Sequence, residues 1–224
     1  MSLARIVALH LRKDLRLEWR SKDAANSMLF FALLVVVVFA FAFDPLIEES
    51  RLIAGGIGWV ALLFATVMAL NQSWARELHN GVLDALRLTP ASANGLFLGK
   101  AIANFIFVTA IEILITPVFV VFYNLRIVGS GAQLMTVAAL GTWALVVNGT
   151  FFSALSLRTR NREVMLPLVL FPISLPALLG MVVATTNILT GERSPADWIK
   201  LLTVYDIVFT IVSLLLFETV LSGE

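Results

Sequence analysis

Three acidic residues interrupt apolar parts of this sequence, and the one deepest in an apolar run is Glu112. An ionised carboxylate in the middle of a bilayer costs about 2.5–3.5 kcal/mol on insertion scales, so such a residue marks a functional site when it faces other helices. The alternative is a structural carboxyl that is protonated or accepts a hydrogen bond from Asn148 or a threonine. Asp206 and Glu218 lie nearer the two ends of the last run, and we expect both to reach the membrane surface.

The sequence carries no recognisable catalytic constellation. It has no cysteine, which excludes thiol chemistry, disulfides and thiolate metal sites, and its two histidines, His10 and His79, lie outside the apolar runs. The Gly-x-Ser-x-Gly turn of hydrolases and the His-Glu-x-x-His zinc pattern are both missing. We therefore expect a protein that is not an enzyme and that binds no metal.

A glycine-rich stretch ahead of the third apolar run resembles a phosphate-binding loop. Gly95 and Gly99 are one residue too close together for that loop, and Lys100 is followed by alanine where a serine or threonine is needed. We therefore expect no ATP binding of this kind, and we expect Lys100 to anchor the start of a membrane span at the interface.

The composition is that of an integral membrane protein, with 59% hydrophobic and 14% charged residues, where soluble domains carry about 25% charged residues. Six apolar runs are each close to the roughly 20 residues that a helix needs to cross the hydrocarbon core. They cover residues 26–43, 52–74, 101–123, 132–157, 164–186 and 201–221. Because the connections are short, we expect residues 1–224 to form a single transmembrane domain with an all-α fold.

Residues 1–25, ahead of the first run, predict an amphipathic helix. Five basic residues share one face of a helical wheel, whereas the opposite face is apolar apart from Asp14 and Glu18. The basic residues are Arg5, Arg12, Lys13, Arg16 and Arg20. This segregation is typical of an interfacial helix on anionic membrane lipid.

The positions of the basic residues also predict the orientation in the membrane. Twelve of the 16 Lys and Arg residues lie ahead of the first run, between the second and third runs, or between the fourth and fifth. Both termini are therefore expected in the cytoplasm. Three of the twelve, Arg158, Arg160 and Arg162, form a cluster that either contacts lipid headgroups or an acidic partner, or only sets the topology.

The cytoplasmic connection between the second and third runs contains a short polar stretch, residues 77–90, which we name the coupling segment. Its apolar and acidic residues fall close to helical spacing, after a glycine that permits a bend and before a proline that ends a helix. Two interpretations are open: a short amphipathic helix that contacts a soluble partner, or a solvated loop with a helical turn. The residues concerned are Glu77, Gly81, Val82, Leu83, Asp84, Leu86 and Pro90.

The fifth run contains three prolines, Pro167, Pro172 and Pro176. Each removes an amide donor from the helical hydrogen-bond ladder, so we expect the helix to kink or break. A broken helix in a bundle often lines a moving part or a cavity, whereas a kink is only structural. The sequence leaves both interpretations open.

Together these features resemble the CcmB family of membrane subunits from the cytochrome c maturation system, within the wider class of ABC transporter permeases. The resemblance covers nearly the whole chain and rests on the basic helix before six spans, the coupling segment with Lys100 after it, and the proline pair in residues 171–176. It implies an ABC-2-like permease with six transmembrane helices, an N-terminal interfacial helix and a cytoplasmic coupling helix. It also implies the bacterial cytoplasmic (inner) membrane.

The resemblance further implies a set of partners. Two copies of this chain would pair with two ATP-binding subunits resembling CcmA, whose grooves receive residues 81–88. The complex would include membrane subunits resembling CcmC and CcmD and would act on a haem chaperone resembling CcmE, by exporting haem or by releasing the loaded chaperone. ATP would be hydrolysed by the partner.

The residues favour haem handling by the partner subunits. Haem proteins supply axial ligands such as His, Met, Cys or Tyr, but both histidines here are expected in the cytoplasm and the methionines of the spans fit as packing residues. We therefore expect no cofactor on this chain, contact with membrane lipid, and no nucleic acid. Two alternatives differ in function: a permease for a drug, lipid or polysaccharide, and a membrane scaffold without an ATPase, which would tolerate substitutions in the coupling segment.

Overall fold

The structure, a computed structural model, describes residues 3–43, 48–79, 93–156 and 162–222. Within these ranges it is built of seven helices and has no strand. The helices are α1 (Leu3–Ser21), α2 (Asp23–Ala42), α3 (Glu48–His79), α4 (Ala93–Phe122), α5 (Gly131–Ser156), α6 (Arg162–Thr190) and α7 (Ala196–Ser222).

Helices α2 to α7 each contain a stretch that is long and apolar enough to cross a membrane. The stretches are Asp23–Ala42, Leu52–Trp74, Ala93–Phe122, Gly131–Ser156, Val164–Thr190 and Ala196–Leu221. The predicted all-helical fold with six spans is therefore confirmed in the part of the chain that the structure describes. Of the coupling segment, only residues 77–79 fall within that part, at the end of α3.

Two spans begin earlier than hydropathy predicts. Helix α4 begins at Ala93 instead of residue 101, because its first two turns pack against other helices and bury Leu96 and Phe97. Helix α7 begins at Ala196 instead of residue 201. Asp197 and Lys200 lie near its start and form an ion pair at 3.0 Å. Their charges lower the local hydropathy, although this part of the chain is helical.

Helix α5 lies at the centre of the bundle, and every residue from 144 to 150 is buried. Two of its glycines permit a close approach by neighbouring helices. A Cβ atom at Gly141 would collide with Met181 of α6 and lie 2.7 Å from the Trp59 ring of α3. A Cβ atom at Gly149 would collide with Leu70 of α3. Such close contacts at small residues are how membrane helices gain van der Waals attraction.

The first helix packs against the N-terminal half of α4. A Cβ atom at Gly95 would lie 2.8 Å from Ile6, and one at Gly99 would lie 2.7 Å from the Cβ of His10 and 3.0 Å from the Val7 carbonyl oxygen. The two glycines are four residues apart, so they lie on one face of α4 and let α1 approach its backbone. The stretch that resembles a phosphate loop is thus a helix-packing motif.

The packed face of α1 includes the two acidic residues that interrupt its apolar side. Asp14 and Glu18 are only 6% and 7% exposed, so this side of α1 is buried against the bundle at both residues. Trp19, Leu9 and Leu17 remain exposed, and they leave a surface suited to lipid. The placement of α1 on the membrane surface stays a prediction. A single residue with positive φ, Lys22, connects α1 to α2.

Candidate functional site

The coupling segment begins on a spanning helix. Helix α3 has 32 residues and continues to His79, so Glu77 lies in its last turn. A helix of this length is about 48 Å long and exceeds a hydrocarbon core of about 30 Å. The remaining candidate residues of the segment lie outside the described residues, and their contact with a partner stays a prediction: Gly81, Val82, Leu83, Asp84, Leu86 and Pro90.

The two helices that flank this segment contact each other through Trp74 and Lys100. Trp74 precedes the segment by three residues and Lys100 follows it by ten. Lys100 Nζ lies 4.6 Å from the centre of the Trp74 ring, and each residue is only 1% exposed. An ammonium group over an indole face is attracted by the ring quadrupole, more strongly when water is excluded. The contact therefore joins the end of α3 to the start of α4.

The same lysine forms a buried ion pair with the first helix. Lys100 Nζ donates a hydrogen bond to Asp14 Oδ2 at 3.4 Å, and Lys13 Nζ lies 3.2 Å from Asp14 Oδ1. The expectation that Lys100 anchors α4 at the interface is wrong, because its side chain points into the bundle towards an acidic partner. We name Asp14, Lys100 and Trp74 the basal cluster, since it joins the helices on either side of the coupling segment to α1.

Aromatic packing extends the basal cluster to the last helix. The ring of Phe217 in α7 lies 5.0 Å from Phe97 and 6.3 Å from Trp74, measured between centroids. Phe97 and Phe217 are both fully buried. The basal cluster and its aromatic neighbours therefore join four helices, α1, α3, α4 and α7.

The intramembrane carboxyl singled out in the sequence, Glu112, faces α5. Thr142 Oγ1 donates a hydrogen bond to Glu112 Oε2 at 2.6 Å; Thr142 is completely buried and Glu112 is half-buried. Of the two partners considered for a structural carboxyl, the threonine is the one present. Asn148 instead donates to Tyr205. A further functional role of Glu112 stays a prediction.

The three prolines of the fifth span lie within one continuous helix, α6. Prolines are tolerated inside membrane helices where neighbouring helices pack against them, and α6 packs against α3, α5 and α7. Pro172 and Pro176 are exposed and Pro167 is half-buried. Their part in any motion stays a prediction. A fourth proline, Pro117, lies inside α4.

The basic cluster is mostly outside the described residues. This applies to Arg158 and Arg160, whereas Arg162 is the first residue of α6. Contacts of this cluster with lipid headgroups or an acidic partner therefore stay a prediction.

Sequence reasoning missed a polar junction where α5, α6 and α7 meet. The hydroxyl of Tyr205 donates to the Ile173 carbonyl oxygen and accepts from Asn148 Nδ2, both at 2.8 Å. The next residue, Asp206, is only 6% exposed, so the expectation that it reaches the membrane surface is wrong. The sequence signal for this junction is the Tyr205-Asp206 pair within an apolar run. Because that run is predicted to begin at residue 201, Asp206 is placed near the end of the span instead of inside it.

The described residues define an all-helical, multi-pass membrane protein whose second and third spans are joined by a buried charged cluster. The sequence profile of the family described as CcmB protein matches residues 5–221. The chain therefore belongs to the CcmB family. The resemblance carried by the coupling segment and the proline pair is confirmed.

Curated relatives agree with this assignment over most of their length. A protein of Rhodobacter capsulatus is 32% identical over 169 residues, which cover 75% of this chain and 77% of the relative. One of Bradyrhizobium diazoefficiens is 27% identical over 82% of both chains. One of Pseudomonas aeruginosa is 26% identical over 79% of both. All three carry the name Heme exporter protein B.

Proposed function

We propose that this chain is the membrane subunit of the haem export system that serves c-type cytochrome biogenesis. The observation that carries the proposal is the match of the CcmB family to residues 5–221. The name of the relatives, Heme exporter protein B, supports the same assignment. The six spans and the buried interior of the bundle are consistent with a subunit that works within the membrane.

The work of the subunit is to convert ATP hydrolysis on a separate polypeptide into movement of its helices. The coupling segment is the element proposed to contact that ATP-binding subunit, which resembles CcmA. The basal cluster supports this assignment, because it connects the helices that flank the segment, α3 and α4, to α1 through Asp14, Lys100 and Trp74. A displacement of the segment would therefore move several helices together.

Haem itself is handled by partner subunits in this proposal. The chain acts as a mechanical transducer without a cofactor, next to membrane subunits resembling CcmC and CcmD and a haem chaperone resembling CcmE. Two copies sit in the bacterial inner membrane with both termini in the cytoplasm. The absence of cysteine from the sequence and the placement of its two histidines outside the apolar runs support this division of labour.

Site-directed cross-linking tests the contact with the ATP-binding subunit. Because the sequence has no cysteine, Leu83→Cys introduces a single thiol into the coupling segment. The matched control is Val128→Cys, in the exposed connection between α4 and α5. We expect a co-expressed ATP-binding subunit with one groove cysteine to cross-link to the Leu83 variant only. A co-purifying complex that cross-links neither variant, or both equally, would contradict the proposed contact.

A further inference from the structure

Asp206 is a buried carboxylate to which no described protein group donates a hydrogen bond. Both of its carboxylate oxygens are shielded from solvent and without a partner, and the residue is 6% exposed. It is the eleventh residue of α7, about 15 Å along the helix from Ala196. The carboxylate therefore lies well inside a membrane span, where water does not compensate for its missing partners.

Two further polar groups at the same junction also lack a partner. Asn148 Oδ1 is one, and the Ser174 hydroxyl is the other; each residue is only 1% exposed. Asn148 Nδ2 bonds the hydroxyl of Tyr205, the residue that precedes Asp206. Ser174 lies at nearly the same depth in the bundle as Asp206. Gly180 of α6 contacts Leu202 of α7. Ser174 lies about 9 Å from Gly180 and Asp206 about 6 Å from Leu202, in the same direction because the two helices are antiparallel.

No cation neutralises this carboxylate from the helices that pack around it. Helix α5 contains no ionisable residue, and the ionisable residues of α6 are confined to its first two positions. In α4, Lys100 is paired with Asp14 and Glu112 accepts from Thr142. On α7 itself the adjacent ionisable side chain is Tyr205, whose hydroxyl proton is donated to Ile173.

We propose that Asp206 is an intramembrane proton-binding site that is occupied when α6 and α7 are packed as in this structure. A proton removes the buried charge and converts one of the two acceptor oxygens into a donor. The proton would be released when the two helices separate and water reaches the carboxylate. Raising the pH then favours the separated state, by up to about tenfold per pH unit for one proton.

Infrared spectroscopy of the full chain, purified in detergent, tests the proposal without any substitution. A protonated carboxyl has a carbonyl band distinct from those of a carboxylate, and isotope-labelled aspartate shifts the band if it belongs to an aspartic acid. Among the candidate spans in the described part of the chain, Asp206 is the one aspartate away from a span end. We expect one shifted band at neutral pH, whereas its absence would overturn the proposal.

Two variants assign the band to a residue. Asp206→Asn should abolish it, and Glu218→Gln, an exposed acidic position on the same helix, should retain it. A band that survives Asp206→Asn would overturn the assignment. If the Asp206 variant fails to insert, the labelled wild-type chain still decides the question.

A salt exchange separates a proton site from a small-cation site. Wild-type spectra recorded in sodium chloride and in choline chloride should be the same. A band present in choline and lost in sodium would show that sodium competes for the carboxylate, and the proton proposal would be overturned. This test depends on the chain alone, so its failure would leave the proposed role in haem export untouched.

Discussion

Lys100 Nζ lies 3.4 Å from Asp14 Oδ2, although the two residues are 86 positions apart in the chain. The lysine is 1% exposed and the aspartate 6%, so neither charge is compensated by water. This ion pair fixes α1 to the first part of α4, the helix that follows the coupling segment. The predictions below start from this contact and proceed to the interior of the bundle.

Removing one charge of the pair should destabilise the chain strongly. Lys100→Met leaves Asp14 buried with only Lys13, a more exposed partner, beside it, and breaking a buried ion pair costs up to about 3–5 kcal/mol. The double variant with Asp14→Asn should recover part of the loss, because no uncompensated charge remains. The measurement is the thermal unfolding midpoint of the purified chain in detergent.

A second ion pair serves as the control for this experiment. Asp197 and Lys200 are paired at 3.0 Å, but their side chains are 91% and 75% exposed. Exposed pairs contribute about 0–1 kcal/mol, so Lys200→Met should leave the midpoint nearly unchanged. Equal losses for Lys100→Met and Lys200→Met would contradict the special role of the buried pair.

Enlarging Gly99 should detach α1 from α4. A side chain at this position meets the Cβ of His10 at 2.7 Å and the Val7 carbonyl at 3.0 Å, so Gly99→Leu forces the helices apart at a cost of about 1–3 kcal/mol. A cysteine at Ile6, which is 7% exposed, should then react faster with a maleimide. Gly131→Leu is the control, since a Cβ there has nothing within 4 Å. If the cysteine at Ile6 is labelled at similar rates in the Gly99→Leu and Gly131→Leu chains, the packing of α1 against α4 is contradicted.

Removing the donor to Glu112 should destabilise the contact between α4 and α5. Thr142→Val keeps the shape of the side chain but deletes the hydroxyl that bonds Glu112 Oε2 at 2.6 Å, and a buried polar group without its partner costs about 1–3 kcal/mol. Thr142→Ser should be milder. Thr136→Val is the control, because the Thr136 hydroxyl bonds only the Ala132 carbonyl of its own helix. If Thr142→Val and Thr136→Val lower the unfolding midpoint equally, the contact between Thr142 and Glu112 is contradicted.

Substitutions in the coupling segment should abolish function without affecting insertion. Gly81→Pro removes the bend and Leu83→Asp places a charge at the proposed apolar contact with the ATP-binding subunit. We expect normal abundance in the membrane and loss of mature c-type cytochromes for both variants, with Leu83→Met as a tolerated control. Normal cytochrome maturation in either disruptive variant would favour the membrane scaffold over a coupled permease.

The six spans could be predicted because a helix in lipid needs a continuous apolar surface, which local hydropathy detects. The packing of α1 against α4 could not be predicted, because it depends on Asp14 and Lys100, which are distant in sequence. A local hydropathy rule expects both charged side chains to face water. Gly95 and Gly99 carried the missing signal. Their four-residue spacing suits close helix packing, but it was compared with a phosphate loop instead.

The position of Asp206 was misjudged for a related reason. The predicted span began at residue 201, after Asp197 and Lys200, which placed Asp206 close to a membrane surface. The helix begins at Ala196, so Asp206 is its eleventh residue. The partner of Glu112 was foreseen only as one of two possibilities, since the rotation of α5 that presents Thr142 is set by packing with α3 and α6.

Haem staining of c-type cytochromes in bacterial cells tests the central claim most directly. Cells that lack this chain should show no covalent-haem staining, and the wild-type chain supplied on a plasmid should restore it. Leu83→Asp, expressed at the same level, should not. Staining that is unchanged in cells without the chain would contradict a role in cytochrome c biogenesis.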